Sequence, residues 1–476
     1  MLRSISIVVV TLFLAVPCFG QIPTKMNVLF VAIDDLRDWT GYLHTHPQVK
    51  TPNLDRFAAE CVAFDRAYCP SPCCNPSRTA IMSGLRASTT GVYGNSTDWR
   101  QIVPKEIVHL HTQFQKNGYY VAGSGKIYHE AYTVPETWDD YLKPVRIPAP
   151  KRAAQGSNAD ADLGRYWDGV GGIKFMPLDC KDEDMEDYQI VSYAIDQLNR
   201  KHDKPFFLAC GLRKPHMPWN VPQKYYDMYP LDSIVLPTVI PNDLDDIPAA
   251  GIDFAKPKGD HAAILKSGQW KNAVQAYLAT ITFCDAMLGR LFDAFEKSAY
   301  RDNTIVVVWS DHGWHLGEKE HWRKFALWEE ATRAPLLWKV PGLTKPGTRI
   351  TTPVDLMHIY PTLCDLTGVP LPQHKLEGTS IRSLLANPTA TPADGTFALM
   401  TWLQNNHAIR TTDWRYIRYA DGSEELYDEK SDPHEWTNLA NKPELQPVKE
   451  RLANLMPKTN VPPGKSTNNK GKDEDE

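Results

Sequence analysis

The stretch NVLFVAI at residues 27–33, followed directly by Asp34 and Asp35, is the clearest guide to the fold of this chain. It is apolar without alternation, which is typical of a strand buried on both faces of a parallel sheet. A second such stretch, TIVVVW at residues 304–309, precedes SDH at residues 310–312. Because open α/β sheets place their sites just beyond the carboxyl ends of their strands, the sequence predicts an α/β fold with a site at these acids.

Two further apolar stretches end in polar residues in the same way. YYVA at residues 119–122 precedes Lys126 and His129, and FFLA at residues 206–209 precedes His216. The carboxyl ends of parallel strands meet at one edge of a sheet. We therefore expect four strand ends to bring polar groups together there.

The pattern of polar and apolar residues changes after about residue 370. Alternating polar and apolar residues at 414–419 and the turn-forming DG at residues 421–422 predict a small antiparallel sheet. Residues 447–455 are expected to form a closing helix. The sequence thus predicts a catalytic domain at residues 21–370 and a smaller C-terminal subdomain at residues 371–456.

Composition limits the classes of function. The 476 residues are 42% hydrophobic, which is typical of a globular enzyme. The 52 lysines and arginines are balanced by 57 aspartates and glutamates, so no global positive field favours nucleic-acid binding. Residues 457–476 are rich in Lys, Asn, Asp and Glu and are expected to form a disordered tail.

The amino terminus resembles an export signal. Residues 1–20 combine an arginine, an apolar run at residues 7–19 and a small last residue, which predicts a cleaved signal peptide and a periplasmic or secreted protein. No apolar stretch reaches the ~20 residues of a membrane span, so stable membrane insertion is not expected. Pro17 before Cys18 fits a lipid-anchor site poorly, so we expect no lipid anchor.

The nine cysteines are scattered and form no zinc-binding spacing. One of them, Cys18, lies in the predicted signal peptide. Export permits one or two disulfides among the others, and the sequence leaves their pairing open.

The most specific motif is CNPSR at residues 74–78. Pro76 suits the first turn of a helix, and Cys74 at a helix amino terminus would face unpaired N–H groups that favour an anion. The motif resembles the C-x-P-S-R signature of type I sulfatases. In that family a maturation enzyme oxidises the cysteine to formylglycine, whose hydrate is the nucleophile, and the resemblance implies that Arg78 steadies it.

The resemblance also implies a metal centre. It assigns Asp34, Asp35, Asp311 and His312, with the modified Cys74, to one divalent cation, usually calcium, with magnesium possible. Adjacent acids at strand ends would repel each other without a cation, and hard oxygen ligands suit these ions. His312 departs from the family, most of which has asparagine there. This departure leaves the identity of the ion open.

Four other residues complete the site by resemblance. The lysines Lys126 and Lys324 correspond to residues that grip sulfate oxygens in the family. The histidines His129 and His216 correspond to a base on the hydrate and a group near the leaving oxygen. The resemblance implies the fold of the alkaline phosphatase superfamily, a large mixed, mostly parallel sheet sandwiched by helices.

Within the family the chain is most similar to the iduronate-2-sulfatase branch, with the Asp311-His312 pair among the shared segments. This implies a sulfated saccharide substrate, such as a 2-O-sulfated uronic acid of a polysaccharide. Aromatic faces stack on sugars and cations hold carboxylates, so the sugar-binding candidates are Trp99, Arg100, Trp314 and His407.

Two other readings remain open at this point. A phosphonate or phosphodiester hydrolase of the same superfamily can use the same sheet, metal and motif. A homologue whose Cys74 is never oxidised would be an inactive carbohydrate-binding protein. Activity on matched sulfate and phosphate esters distinguishes a sulfatase from the phosphorus hydrolases. The mass of the peptide around residue 74 shows whether Cys74 is oxidised, which distinguishes an enzyme from an inactive homologue.

Overall fold

The structure is a computed structural model and describes residues 25–145, 170–392 and 395–465. The predicted signal peptide at residues 1–20 lies outside the described residues, as do residues 466–476 of the expected tail. All structural statements below concern the described ranges.

Strands and helices alternate through most of the chain. Within the described ranges, strands β1 to β18 span Asn27–Asp34, Val62–Phe64, Ala67–Tyr68, Tyr120–Gly125, Asp140–Leu142, Phe175–Leu178, Phe206–Pro215, Trp219–Pro222, Thr304–Ser310, His315–Leu316, Trp322–Arg323, Leu336–Lys339, Thr348–Ile350, Val354–Asp355, Phe397–Thr401, His407–Thr411, Trp414–Arg418 and Glu424–Asp428. Helices α1 to α14 span Pro52–Ala58, Cys74–Ser83, Ala87–Thr90, Trp99–Ile102, Leu110–Lys116, Glu186–Asn199, Gln223–Tyr226, Ala249–Ala255, Asp260–Ser267, Trp270–Lys297, Glu329–Thr332, Ile359–Thr367, Arg382–Ala386 and Gln446–Ala453.

A large sheet forms the centre of the molecule, in the strand order β13-β2-β12-β9-β1-β7-β4-β5. The four strands expected from apolar stretches are neighbours at its middle, as β9, β1, β7 and β4, and they run parallel. Strand β12 is antiparallel to both of its neighbours. The expected mixed, mostly parallel sheet is therefore confirmed.

Side chains of β1 show why the strand lacks alternation. Leu29 and Val31 point into a core layer that also contains the long helix α10, and Val28 and Phe30 point into a second layer with α2 and α5. All four side chains are 0% exposed. Since helices cover both faces of the sheet, both sets of side chains must be apolar.

The smaller sheet near the C-terminus is an antiparallel meander of β15 to β18. Gly422, with φ of +88°, lies in the turn between β17 and β18, as the DG pair predicts. One face packs on a cluster that includes Leu327 and Trp328, and the other face is covered by α14. This confirms the separate antiparallel sheet.

The first part of the expected tail is ordered against the catalytic domain. Val461 N donates to Ser88 O at 2.9 Å, and Gly464 N donates to Gly91 O at 2.9 Å. The Tyr93 hydroxyl donates to Val461 O at 3.0 Å. These bonds satisfy main-chain groups that composition alone gives no reason to order, so the expectation of disorder is corrected for residues 457–465.

Two expectations about chemistry outside the site can be checked in the described ranges. None of the eight cysteines there forms a disulfide, although the sequence permitted one or two. No helix in those ranges combines the length and the apolar character that a bilayer crossing requires.

Candidate active site

Cys74 is the first residue of helix α2, as expected from the motif, and it is fully buried. The side-chain oxygen of Asn95 accepts from Asn75 N at 3.0 Å and from the Cys73 thiol at 3.0 Å. Asn95 thus serves as a cap from another segment, because Cys73 at the N-cap position makes no side-chain cap of its own. Most N–H groups of this turn are therefore already used, because Asn75 N donates to Asn95, Pro76 has no N–H and Ser77 N donates to Cys73 O at 3.0 Å.

The predicted acids meet beyond the carboxyl ends of β1 and β9. Asp35 has a left-handed backbone, with φ of +58°, and its N–H donates to Asp311 Oδ1 at 3.1 Å. Arg78 donates from Nε to Asp311 Oδ2 at 2.8 Å and from Nη2 to Asp34 Oδ1 at 3.3 Å. Arg78 thus orients two acids, which differs from the contact with position 74 that the resemblance implied.

A compact group of donors surrounds the Cys74 side chain. Ligand atoms of Asp35, Cys74, Asp311 and His312 all lie within 4.8 Å of one another. His312 Nε2 is 3.3 Å from Cys74 Sγ and 3.3 Å from Asp35 Oδ1. Because His312 Nδ1 faces the Gly313 carbonyl at 2.9 Å, the ring hydrogen belongs on Nδ1, which leaves Nε2 as the ligand atom.

This donor set fits a divalent cation. Two buried carboxylates and one imidazole converge, and carboxylate oxygens and imidazole nitrogens are groups that divalent ions accept as ligands. Asp34 stands slightly apart, because its oxygens pair with Arg78 and Lys126. It falls in an overlapping group with Asp35 and His216.

Both predicted lysines reach this group. Lys324 Nζ lies 3.1 Å from Cys74 Sγ and 3.0 Å from Asp35 Oδ1. Lys126 Nζ lies 3.8 Å from Cys74 Sγ and pairs with Asp34. Burial alone would lower the pKa of Lys126, but Asp34 and Cys74 raise it above the usual range, so this lysine stays charged.

The main chain near Lys126 depends on a glycine in β7. Lys126 N donates to Gly211 O at 2.8 Å. A Cβ on Gly211 would lie 2.5 Å from the Lys126 carbonyl carbon, which is closer than real contacts allow. Glycine at this position therefore lets the segment that carries Lys126 approach the sheet.

Lys324 sits in a strained piece of backbone. Its neighbours Arg323 and Phe325 have φ of +77° and +75°, a region that side chains other than glycine adopt rarely. Such conformations cluster at functional sites, where the surrounding structure holds them in place. The Arg323 guanidinium is itself held by Asp260 at 2.6 Å.

The two predicted histidines differ in their surroundings. His129 is buried, and burial together with the charge of Lys126 lowers its pKa well below the usual range, so it is neutral at neutral pH. His216 is partly exposed, and its Nε2 lies 3.8 Å from Asp35 Oδ2. Each ring thus interacts with a predicted acid. The charges of Lys126 and Asp34 act on His129, whereas His216 lies next to Asp35.

Burial of the Cys74 side chain has a chemical consequence. Burial raises the pKa of the Cys74 thiol well above its usual range, although Lys126 and Lys324 act in the opposite direction. An unmodified thiol would therefore be uncharged at neutral pH and a weak nucleophile.

Of the sugar-binding candidates, the structure exposes Arg100 most. Its side chain is 41% exposed, pairs with Asp98 and lies over the ring of Tyr132 at 5.5 Å. The Tyr132 ring is in turn 5.7 Å from the ring of His129. Arg100 is therefore two contacts away from His129.

The other three candidates are buried. Trp314 is 0% exposed and lies beneath Lys324, with Nζ 5.4 Å from the ring, and His407 is 1% exposed in the small sheet. Trp99 is 7% exposed and stacks on Tyr128 at 4.9 Å. This burial does not fit the sugar contacts expected for them, because their ring faces are covered by protein side chains.

Three residues that contribute to the site were not identified from the sequence. Asn95 caps α2, and Asp187 and Lys214 hold the segment that carries His216, as described below. None of them lies in a chemical motif of its own. Lys214 is the lysine of the sequence KPH at residues 214–216, and its place two residues before His216 is the sequence signal that could have pointed to it.

The charges in this pocket are balanced without an anion. Three acids, Asp34, Asp35 and Asp311, face three cations, Arg78, Lys126 and Lys324. A bound divalent cation would give the pocket a net charge of about +2, because each acid already has a basic partner. The arrangement can therefore attract a small anion such as a sulfate ester to the side of position 74 where Lys126 and Lys324 lie.

Comparison with known proteins agrees with this geometry. The sulfatase family model matches residues 26–369, and the model of the N-sulphoglucosamine sulphohydrolase C-terminal region matches residues 317–461. A sulfatase from Formosa agariphila is 40% identical over 458 residues, which cover 92% of this chain and 87% of that protein. The human iduronate 2-sulfatase is 28% identical over 391 residues, covering 73% of this chain and 70% of that protein.

Solved structures share the fold. A protein in complex with its substrate D-glucosamine-2-N,6-O-disulfate matches with a TM-score of 0.70 and 24% identity, covering 90% of this chain and 96% of that chain. The phosphonate monoester hydrolase of Agrobacterium radiobacter matches with a TM-score of 0.72 and 20% identity, covering 90% and 95%.

The fold and the site define a hydrolase with the mixed α/β fold of the alkaline phosphatase superfamily. Within that superfamily the chain belongs to the sulfatase family, since the family model spans most of its length. The protein is a sulfuric ester hydrolase.

Proposed function

We propose that this sulfatase removes sulfate from a sulfated carbohydrate with a formylglycine formed from Cys74. The observation that carries the proposal is the convergence on one buried side chain: Cys74 Sγ lies 3.1 Å from Lys324 Nζ, 3.3 Å from His312 Nε2 and 3.7 Å from Asp35 Oδ1. A maturation enzyme would supply the oxidation. The hydrate of the resulting aldehyde supplies the oxygen nucleophile that a plain thiol lacks.

The resident ion would be calcium, with magnesium as the alternative. Asp34, Asp35, Asp311 and His312 would hold it together with the modified side chain at position 74. When bound, such an ion lowers the pKa of a nearby hydroxyl and screens the charge of the sulfate. The carboxylate oxygens support a hard cation, whereas the imidazole leaves the choice of ion to experiment.

The two lysines would bind the transferring sulfuryl group. Charge accumulates on its oxygens as the ester bond breaks, and Lys126 and Lys324 are fixed cations in a buried pocket where electrostatic interactions are strong. Trp314 beneath Lys324 and Gly211 beneath Lys126 keep both ammonium groups near position 74. Arg78 keeps Asp34 and Asp311 in place.

The histidines would move protons. His129 is neutral at neutral pH, so it can accept a proton from the nucleophile. His216 has its Nδ1 against the Met217 carbonyl at 2.5 Å, so Nε2 is the atom available to the leaving oxygen. His129 would thus act as the base, and His216 would donate to the leaving oxygen in its protonated form, in which Nε2 as well as Nδ1 carries a hydrogen.

For the substrate we propose a 2-O-sulfated uronic acid of a polysaccharide. The similarity to iduronate 2-sulfatase and the Asp311-His312 pair support this choice. Arg100 is the candidate for the carboxylate, because it is exposed and lies over Tyr132 beside His129. The apolar run at residues 7–19 supports export to the periplasm or beyond, where such polysaccharides are met.

The test is a substrate screen with the matured enzyme. Defined oligosaccharides that carry a single sulfate at the 2-O, 6-O or N position are compared by sulfate release, next to matched sulfate, phosphate and phosphonate esters of one alcohol. The proposal expects the 2-O-sulfated uronide to be cleaved fastest, with sulfate esters ahead of phosphorus esters. Preference for a phosphonate ester would instead favour the related phosphonate hydrolases, and preference for a 6-O or N position would overturn the uronide assignment.

A further inference from the structure

The segment at residues 213–218, which carries His216, is held at two points, by the partly buried Lys214 and the buried Asp187; we call these two residues the clamp. The ammonium of Lys214 donates to two carbonyl oxygens of the same segment, His216 O at 3.1 Å and Pro218 O at 2.5 Å. An ammonium with three hydrogens on a flexible stem can join two such acceptors at once. The Lys214 ammonium thus fixes the carbonyl groups of the residues before and after Met217.

A buried carboxylate holds the other end of the segment. Asp187, near the start of α6 and 2% exposed, accepts from Arg213 N at 2.8 Å and from Lys214 N at 2.9 Å. Each oxygen of the carboxylate therefore takes one main-chain N–H. Strand β7 is thereby joined to α6 immediately before His216.

The clamp determines how the imidazole of His216 is presented. Its Nδ1 lies 2.5 Å from Met217 O, and since a carbonyl oxygen only accepts, the ring hydrogen belongs on Nδ1. The Met217 carbonyl lies between the two carbonyls that Lys214 holds. Nε2 then faces the pocket, 3.8 Å from Asp35 Oδ2.

We propose that Lys214 and Asp187 are positioning residues for His216, which fix its tautomer and its distance from the reacting ester. This inference rests on the role given to His216 in the proposed function. Neither residue touches the group around Cys74 in the contacts described, so both act through the histidine. Burial lowers the pKa of Lys214 to about 8, so at neutral pH most of the side chain is still the ammonium that donates to these carbonyl oxygens.

A double-mutant cycle tests the inference on the matured full-length enzyme. Lys214→Met removes the ammonium and keeps the stem, and it is measured in the native background and in the His216→Ala background. Because misplacing a catalytic group by about 1 Å can cost about 100-fold, we expect kcat to fall roughly 10- to 100-fold in the native background. We expect less than about a twofold further loss in the His216→Ala background, since the shared target is gone.

Lys224→Met is the matched control. Lys224 pairs with Asp182 and is 56% exposed, and it should leave kcat unchanged. If Lys214 only stabilises the fold, Lys214→Met will cost the same factor in both backgrounds, which overturns the inference. If Lys214→Met does not fold, the cycle uses Lys214→Gln and Asp187→Asn instead. The amide of Lys214→Gln can still donate to one carbonyl.

A second readout separates this inference from the proposed function. The ring nitrogen shifts of His216 in a ¹⁵N-histidine NMR spectrum should report the Nδ1–H tautomer in the native protein and a mixture of tautomers in Lys214→Met. If His216→Ala retains native activity, the role proposed for His216 fails and this inference fails with it. If His216→Ala is impaired but the losses are additive and the tautomer is unchanged, only the inference fails.

Discussion

Lys324 is the residue whose contacts concentrate most of the site chemistry. Its ammonium contacts both oxygens of Asp35, at 3.0 and 3.3 Å, and the Cys74 sulfur at 3.1 Å. It is 0% exposed, so no solvent screens these interactions. A cation in this position stabilises charge that develops on a bound sulfate and also offsets the buried acid.

Replacing Lys324 with methionine should therefore lower kcat by about 100- to 1000-fold, which is the effect of removing one preorganised donor. The matched control is again Lys224→Met, which loses an exposed lysine. Steady-state kinetics with a saturating sulfate ester measure the effect. Activity of Lys324→Met within twofold of the control would contradict the role given to this residue.

Metal removal is the second prediction at this scale. Exhaustive chelation should abolish activity, and calcium should restore it, because Asp35, Asp311 and His312 present converging donors. Asp35→Asn should lower the metal content found by elemental analysis. The control Asp365→Asn changes a surface acid, paired with Arg382 at 3.2 Å, and should leave that content unchanged. Full activity in a protein shown to be metal-free would refute the metal centre.

The sequence predicted which residues approach Cys74 better than it predicted how they are held. Asp35, His312 and Lys126 were expected there, because acids and bases that follow neighbouring parallel strands must meet at one edge, whereas Lys324 was expected only from the family resemblance. Trp314 was expected to contact a sugar but lies buried beneath Lys324. Its burial depends on how the 311–333 segment folds back on itself, and a side-chain type alone carries no such information.

At the scale of elements, helix α11 connects the pocket to the small sheet. Glu330 O and Ala331 O accept from the main chain at Trp314 and Gly313, the residues that follow His312. Its first residue, Glu329, is gripped by Arg410 and Arg415 from β16 and β17. The small sheet therefore supports the backbone next to a proposed metal ligand.

Three glutamates near this helix could be taken for another metal site. Glu329, Glu429 and Glu435 offer oxygens within 4.8 Å of one another. Arg415 contacts all three, and Arg410 pairs with Glu329 and Glu429. Since a guanidinium group already pairs with every carboxylate of the cluster, we interpret it as an ionic joint between the catalytic domain and the small sheet.

Removing Arg415 should destabilise the protein strongly. Breaking a buried ionic network leaves carboxylates without a partner and typically costs about 3–5 kcal/mol. Arg382→Met, which breaks an exposed pair with Asp365, should cost about 0–1 kcal/mol. Denaturant unfolding of Arg415→Met and Arg382→Met measures both. Equal midpoints for the two variants would mean that the joint contributes nothing.

At the scale of the whole molecule, the segment at residues 460–464 returns to an early part of the chain. It follows the small sheet and bonds to Ser88 in α3 and to Gly91 directly after that helix. Gln404, before β16, also donates to Asn460 O and Val461 O at 3.2 Å. The segment thus links the region around α3 to the loop before β16. The polar composition of the tail gave no indication of this long-range contact.

Glycine at position 91 makes this closure possible. Its φ is +81°, and a Cβ there would lie 2.6 Å from Pro462 O. Gly118 has a similar φ of +88° with nothing within 4 Å of a Cβ. Both alanine variants lose stability because alanine is strained at a positive φ. The additional loss of stability in Gly91→Ala therefore measures the clash with the C-terminal segment. We expect Gly91→Ala to be less stable than Gly118→Ala by about 1–3 kcal/mol in denaturant unfolding. Equal stability would show that the segment does not rest on Gly91.

The fold at this scale was largely predictable. Buried strands such as β1 and β9 are recognisable because both faces are covered and no alternation survives. The antiparallel position of β12 between β9 and β2 was not, since its four residues carry no signal of direction. Pairing direction depends on the path of the connecting chain, which a short apolar run does not record.

The most direct test of the central claim is the mass of the peptide that contains residue 74, taken from enzyme that has been shown to be active and matured in its native host. The account predicts a peptide lighter than the cysteine form by the exchange of SH and one hydrogen for a single oxygen, with loss of that species and of turnover in Cys74→Ala. An active enzyme whose residue 74 is entirely unmodified cysteine would contradict it.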